Sequence, residues 1–159
     1  MNRLMGSVEG IFIASEAEGE TRPVDVVRAV EGQGLEGDRY FAGDGTFYEE
    51  RKPGQDLTLI EAEAIAAMAA EDGVEIAPGE ARRNVVTRGI GLNDLVGRRF
   101  TVGEIECVGD RLCDPCSHLE KITKPGVLKG LVNRGGLRAN IVRGGRIAVG
   151  DEITELGPA

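Results

Sequence analysis

The stretch Arg111-Leu112-Cys113-Asp114-Pro115-Cys116-Ser117-His118-Leu119 holds two of the chain's three cysteines and its only histidine, with a proline between the thiols. Thiols at this spacing can bind a metal, close a short disulfide loop or exchange electrons, and each use needs an accessible, electrostatically favoured thiolate. The plain alternative is one buried thiol beside an incidental one. A structural zinc site takes about four ligands, usually in two separated pairs, and one pair with His118 and Cys107 makes a poor set. A thioredoxin-like site would place its first cysteine after an early strand of a βαβ unit, whereas this pair comes late. Cysteine–histidine hydrolysis would need His118 to reach the Cys116 thiol, which their spacing does not ensure, and no third partner is evident. Cys107, among apolar neighbours, reads as an inert core thiol.

The elements that must position this stretch are mostly strands. With 159 residues the chain fits one domain spanning residues 1–159, and 24 glycines with only 4% aromatics favour turns and β structure over a helical bundle. Strands are expected at Val8–Ala14, at Val24–Val30 with Val24, Val26, Arg28 and Val30 on one face, and at Arg82–Ile90. Arg99–Val108 reads as a strand or hairpin running into the cysteine stretch. Leu137–Ile153 reads as a hairpin-rich ending, and the two Arg-Gly-Gly triplets, at Arg134 and Arg143, read as turns. Gly32–Tyr40, rich in glycine, is a shaped loop, and Phe41–Pro53 an exposed, mobile one. Glu61–Glu71 is the clearest helix: Thr58 and Glu61 offer a capping box, Asp72-Gly73 a stop, and Ile65, Met68 and Ala69 a core face. Short helices are expected at Ser117–Ile122 and Gly126–Val132.

The net charge of −8 opposes binding to nucleic acid or to anionic membrane surfaces. No apolar run approaches the ~20 residues of a membrane span. Residues 1–9 reach a carboxylate before any useful apolar run, so no signal peptide is expected, and an odd cysteine count fits a reducing cytoplasm. Charge is unevenly placed: Lys121, Lys124, Lys129, Arg134, Arg138, Arg143 and Arg146 follow one another with no Asp or Glu between. A cationic face beside a thiol would favour the thiolate and attract an anion. Arg82, Arg83 and Asn84, at the start of a strand, could fork around an anion or form a solvated basic edge.

Six motifs in register carry a family resemblance: Gly34-Leu35-Glu36-Gly37-Asp38-Arg39, Arg82-Arg83-Asn84-Val85-Val86, Leu95-Val96-Gly97 with Phe100-x-Val102-Gly103, Pro115-Cys116, Gly135-Gly136-Leu137-Arg138-Ala139 and Val149-Gly150-Asp151. In this order they resemble the MOSC domain, named for the C-terminal domain of molybdenum cofactor sulfurase, over about Gly6 to Glu155. The resemblance implies a mainly β fold, a MOSC-type β-barrel (pyruvate kinase barrel-like) with a few short helices. It also implies that Cys116 rather than Cys113 is the functional cysteine, either as ligand to the metal of molybdenum cofactor (molybdopterin) or as a sulfur carrier. A soft thiolate suits both. Arg82 and Asn84 match the family's Arg-x-Asn pattern, Arg83 follows by adjacency, Arg138 by its place after Gly-Gly, and Arg39 by its place in the first motif. Together they are the expected cofactor-binding set.

Residues 1–159 include neither a pyridoxal-phosphate domain, so sulfane sulfur would come from elsewhere, nor the extra N-terminal barrel region of the amidoxime reductases. Three functions are then open. The first is a cytoplasmic molybdenum-cofactor protein, an oxidoreductase reducing N-hydroxylated compounds with electrons from a separate redox partner. The second is a sulfur carrier that takes a persulfide on Cys116 from a cysteine desulfurase. The third is a cofactor-carrying adaptor without turnover. The family pattern leaves Cys113 without a role.

Overall fold

The computed structural model describes residues 5–15, 19–42 and 53–159. Most of the expected loop Phe41–Pro53 lies outside the described residues. Eleven strands are present among those described: β1 (Met5–Ile13), β2 (Arg22–Val24), β3 (Val26–Val30), β4 (Gly34–Leu35), β5 (Leu57–Glu61), β6 (Val85–Arg88), β7 (Arg98–Val102), β8 (Ile105–Leu112), β9 (Leu137–Arg143), β10 (Gly145–Ala148) and β11 (Glu152–Pro158). The helices are α1 (Arg39–Ala42), α2 (Ala62–Asp72), α3 (Ser117–Ile122) and α4 (Val127–Gly130), with 3-10 turns at Pro78–Ala81 and Leu92–Leu95.

The pairing runs β11–β7–β8–β9–β5–β6–β1, and β1 pairs back onto β11, so seven strands close a barrel. β2 hangs on the free half of β1, and β10–β3–β4 form a separate small sheet. Closure removes the open edges that an eight-stranded sheet would otherwise present. The fold is therefore the mainly β barrel with short helices that the sequence led us to expect.

Alternation along the strands sorts side chains into two cores. Leu57, Leu59, Val85, Phe100, Ile105, Cys107, Leu137, Ala139 and Ile153 fill the barrel. Ile60 and Val86, one residue on from inward-facing neighbours, point outward and bury against Ile65 and Met68 of α2, Leu119 of α3 and Val127 of α4. The outer wall over β5 and β6 is thus covered by helices, which is why these two strands are apolar on both faces. They pair in parallel, joined through α2, whereas the other named pairings among the described strands are antiparallel. The helices over this wall carry the cysteine segment with them.

Several expectations need correction. Val24–Val30 is not one strand: it breaks at Asp25, with β2 on the barrel and β3 in the small sheet, and the buried face of β3 is Val27 and Ala29. Thr58 caps no helix; it lies within β5, its hydroxyl accepts from the Asn84 N–H at 2.9 Å, and α2 starts after Glu61 without a side-chain cap. Leu57–Glu61 is a strand the sequence reading did not mark, because its apolar run leads directly into helix formers. α2 ends as expected, with Gly73 in the left-handed region at φ 67°. The C-terminal strands form no hairpins with one another: β9 lies between β8 and β5, β10 joins β3, and β11 bridges β7 and β1. A turn is present at the Arg134 triplet, but at the Arg143 triplet the chain passes from β9 to β10 through Gly144 alone, without a turn.

Candidate functional site

Cys113 and Cys116 have different environments. The β8–β9 ladder ends with Leu112 opposite Leu137, and one further bond, from Cys113 N–H to the Gly136 carbonyl at 2.8 Å, prolongs it. That holds Cys113 at 1% exposure. Three residues on, Cys116 has left the ladder, sits in extended conformation just before α3 and is exposed. The Cys-x-x-Cys spacing is therefore one buried and one presented thiol. Cys107 is fully buried, and desolvation, with lesser contributions from Asp56 and Glu106, pushes its thiol pKa up. It is the inert core thiol that its neighbours suggested.

Cys116 lies on a narrow cleft of about 70 Å³ lined by Arg39, Thr58, Arg82, Arg83, Asp114, His118, Leu119, Ile122 and Arg138. Five of the six residues expected from the motifs, Cys116, Arg39, Arg82, Arg83 and Arg138, are thus brought together from α1, the segment before β6, the cysteine segment and β9. Asn84 does not line the cleft. It is 3% exposed, its amide oxygen accepts from the Thr58 N–H and hydroxyl, and its NH₂ donates to the Phe12 carbonyl, so it ties β5 and β6 to β1.

The arginines play different parts. Arg39 is buried and faces Asp38, whose carboxylate also accepts from Ala14 N–H. Arg82 adopts the left-handed conformation, φ 59°, and its guanidinium donates to the Gly19 carbonyl. Arg83 is buried and donates to four backbone carbonyls, two of them in the cysteine segment. Arg138 is half-buried and has no side-chain hydrogen bond or ion pair among the described residues.

The expected cationic face breaks up in three dimensions. Arg134 pairs with Glu71 and Asp72, Arg143 with Glu106, and Arg146 with Glu104. Carboxylates distant in sequence neutralise them, and only Arg138 of that run lines the cleft. Lys121 and Lys124 line a neighbouring groove with Ser117 and His118.

Three polar lining residues fall outside the set the motifs predict: Thr58, which the sequence places at a helix cap, Asp114 between the thiols, and His118, whose spacing from Cys116 does not ensure contact. Adjacency to the cysteine was the available signal for the last two. Beside the cleft, a groove of about 320 Å³ shares Arg82 and Ile122 with it and is otherwise lined by Gly19, Glu20, Thr21, Gly79, Glu80 and Thr123. No group of three or more His, Cys, Asp or Glu side chains that could hold a metal ion occurs among the described residues. No described helix is long and apolar enough to cross a membrane.

The family model of the MOSC domain matches residues 36–154 of the chain. The fold is similar to that of the YuaD protein from Bacillus subtilis, at 21% identity and a TM-score of 0.79, covering 96% of each chain. It is also similar to YiiM from Escherichia coli, at 16% identity and a TM-score of 0.69, covering 98% of this chain and 71% of that one. YiiM from Geobacillus stearothermophilus gives 14% identity and a TM-score of 0.72, covering 96% of this chain and 75% of that one. No curated protein matches.

Proposed function

Because the chain belongs to the MOSC domain family, we propose that it binds molybdenum cofactor, with Cys116 as ligand to the metal and the cleft arginines holding the cofactor's anionic part. The observation that carries this reading is one exposed thiol on a cleft lined by Arg39, Arg82, Arg83 and Arg138. The donor set fits: a thiolate is a soft ligand appropriate to molybdenum, and guanidinium forks match phosphate oxygens. Arg138, with no partner among the described residues, is the cation best placed to take a new anion. The cleft of about 70 Å³ is small beside the ~300–1,000 Å³ of ordinary ligand pockets, and the adjoining groove of about 320 Å³ supplies the missing space.

When bound, the cofactor supplies two-electron redox chemistry. The reaction we assign is reduction of an N-hydroxylated compound to the N–H compound and water, which consumes two electrons and two protons. The electrons come from a separate redox partner. His118, on the same lining, would deliver one of the two protons to the departing hydroxyl, the other coming from solvent. Leu119 and Ile122 supply the apolar part of the wall.

The test is metal analysis of protein purified from a host able to make the cofactor, wild type beside Cys116→Ala. We expect molybdenum in the first and its loss in the second; equal metal in both would sink the assignment.

A second reading rests on the asymmetry of the thiols. An exposed Cys116 is accessible to a cysteine desulfurase, and buried Cys113 is not, so a single persulfide on Cys116 is the form a sulfur carrier would take. Incubation with a desulfurase and cysteine should then add about 32 mass units to Cys116 alone. An unmodified Cys116 peptide would dispose of this reading.

A further inference from the structure

Arg83 is 8% exposed, yet among the described residues its guanidinium faces no carboxylate. Its Nε donates to the Gly135 carbonyl at 2.9 Å and one terminal nitrogen to Ala81 at 3.4 Å. The other terminal nitrogen donates to the carbonyls of Cys113, at 3.3 Å, and Asp114, at 3.4 Å. A planar fork with five N–H donors can span three chain segments in this way; an ammonium on a single stem cannot.

The cysteine segment is held from its other side too. A Cβ on Gly135 would lie 2.5 Å from the Cys113 carbonyl oxygen and 2.8 Å from Pro115 Cδ, so only glycine lets the Gly135-Gly136 turn come this close. Cys113 N–H bonds to Gly136. The segment is therefore clasped between the start of β6 and the turn before β9, and the clasp ends just ahead of Cys116.

We infer that Arg83 is a positioning residue: its guanidinium binds the carbonyls of Cys113 and Asp114 to Gly135 and thereby keeps Cys113 buried and Cys116 presented. This rests on Cys116 being the functional thiol, and it moves Arg83 from cofactor ligand to keeper of the loop that carries the ligand. In the proposed function, the anion-binding role of Arg83 then passes chiefly to Arg138 and Arg82.

The three cysteines supply the test. Native cofactor-free protein is treated with iodoacetamide and the modified positions are read by peptide mass spectrometry. In wild type only Cys116 reacts quickly. In Arg83→Ala, Cys113 labelling rises by about tenfold or more because the loop opens locally, while Cys107, fully buried in the barrel, stays unmodified. Methylguanidine at millimolar concentration refills the vacated site and restores protection of Cys113. Continued protection of Cys113 in the variant, or no effect of methylguanidine, overturns the assignment. Should Cys107 also react in Arg83→Ala, the decision falls to Arg83→Lys, which keeps the charge but not the fork. Selective labelling of Cys113 there supports the clasp; protection of Cys113, or reaction of Cys107 with it, refutes it. Labelling reads the loop without cofactor, so equal molybdenum in wild type and Cys116→Ala would defeat the cofactor reading and leave this result intact.

Discussion

At the scale of residues, similar side chains were separated by their surroundings. Asn84 and Arg83 adjoin one another in one motif, yet the amide is consumed in tying three strands while the guanidinium reaches the cysteine segment. Removing the Asn84 side chain leaves buried Thr58 and Phe12 groups without partners. Asn84→Ala should therefore cost about 2–3 kcal/mol and lower the melting midpoint by roughly 5–10 °C, measured calorimetrically. Cys107 makes a pH prediction. Its ordinary thiol pKa of 9.0 is raised in the folded chain, chiefly by burial, so above that pH the unfolded chain loses a proton that the folded one keeps. Fewer protons bound in the unfolded state means that stability falls as pH rises, by about 1.4 kcal/mol per unit from this group. The difference in stability between wild type and Cys107→Ala, followed by urea unfolding between pH 8 and about 10.5, should shrink accordingly; a constant difference would contradict it.

At the scale of elements, backbone geometry decides which glycines matter. Gly73 ends α2 at φ 67° with open space where a Cβ would stand. Gly73→Ala thus carries only the left-handed backbone penalty, about 1 kcal/mol. Gly109 sits at an irregularity of β8, and a Cβ there would lie 2.0 Å from the Leu95 carbonyl oxygen. That clash is with backbone and cannot be relieved by a rotamer, so Gly109→Ala should cost about 3 kcal/mol or more. Urea unfolding of the two variants side by side tests the contrast. The strand at Val8–Ala14 and the hairpin within Arg99–Val108 were legible because alternation and turn residues act within a few positions. The break at Asp25 and strand β5 were not, because the pairing partners that define them lie far along the chain.

At the scale of the molecule, closure is the organising event. β11 pairs with both β7 and β1, so without it both strands are left with open edges and Phe100 and Ile105 lose their cover. A chain ending at Asp151 should show no cooperative calorimetric transition; a sharp melt would mean the barrel closes without β11. Charge also changes meaning at this scale. The seven cations between Lys121 and Arg146 are consecutive charges only in sequence, since Glu71, Asp72, Glu104 and Glu106 come from elsewhere to meet three of them.

The sequence by itself determined the fold class and the family, because glycine placement, strand alternation and short motifs express local backbone requirements that survive without coordinates. What only the tertiary structure decided is the division of labour around Cys116. The burial of Cys113, the clasp by Arg83, the absorption of Asn84 into the sheet and the dispersal of the basic run all depend on which distant groups approach within hydrogen-bond or ion-pair distance. Such interactions act over a few ångströms of space between residues up to 72 positions apart along the chain, and no local pattern encodes which of them will form.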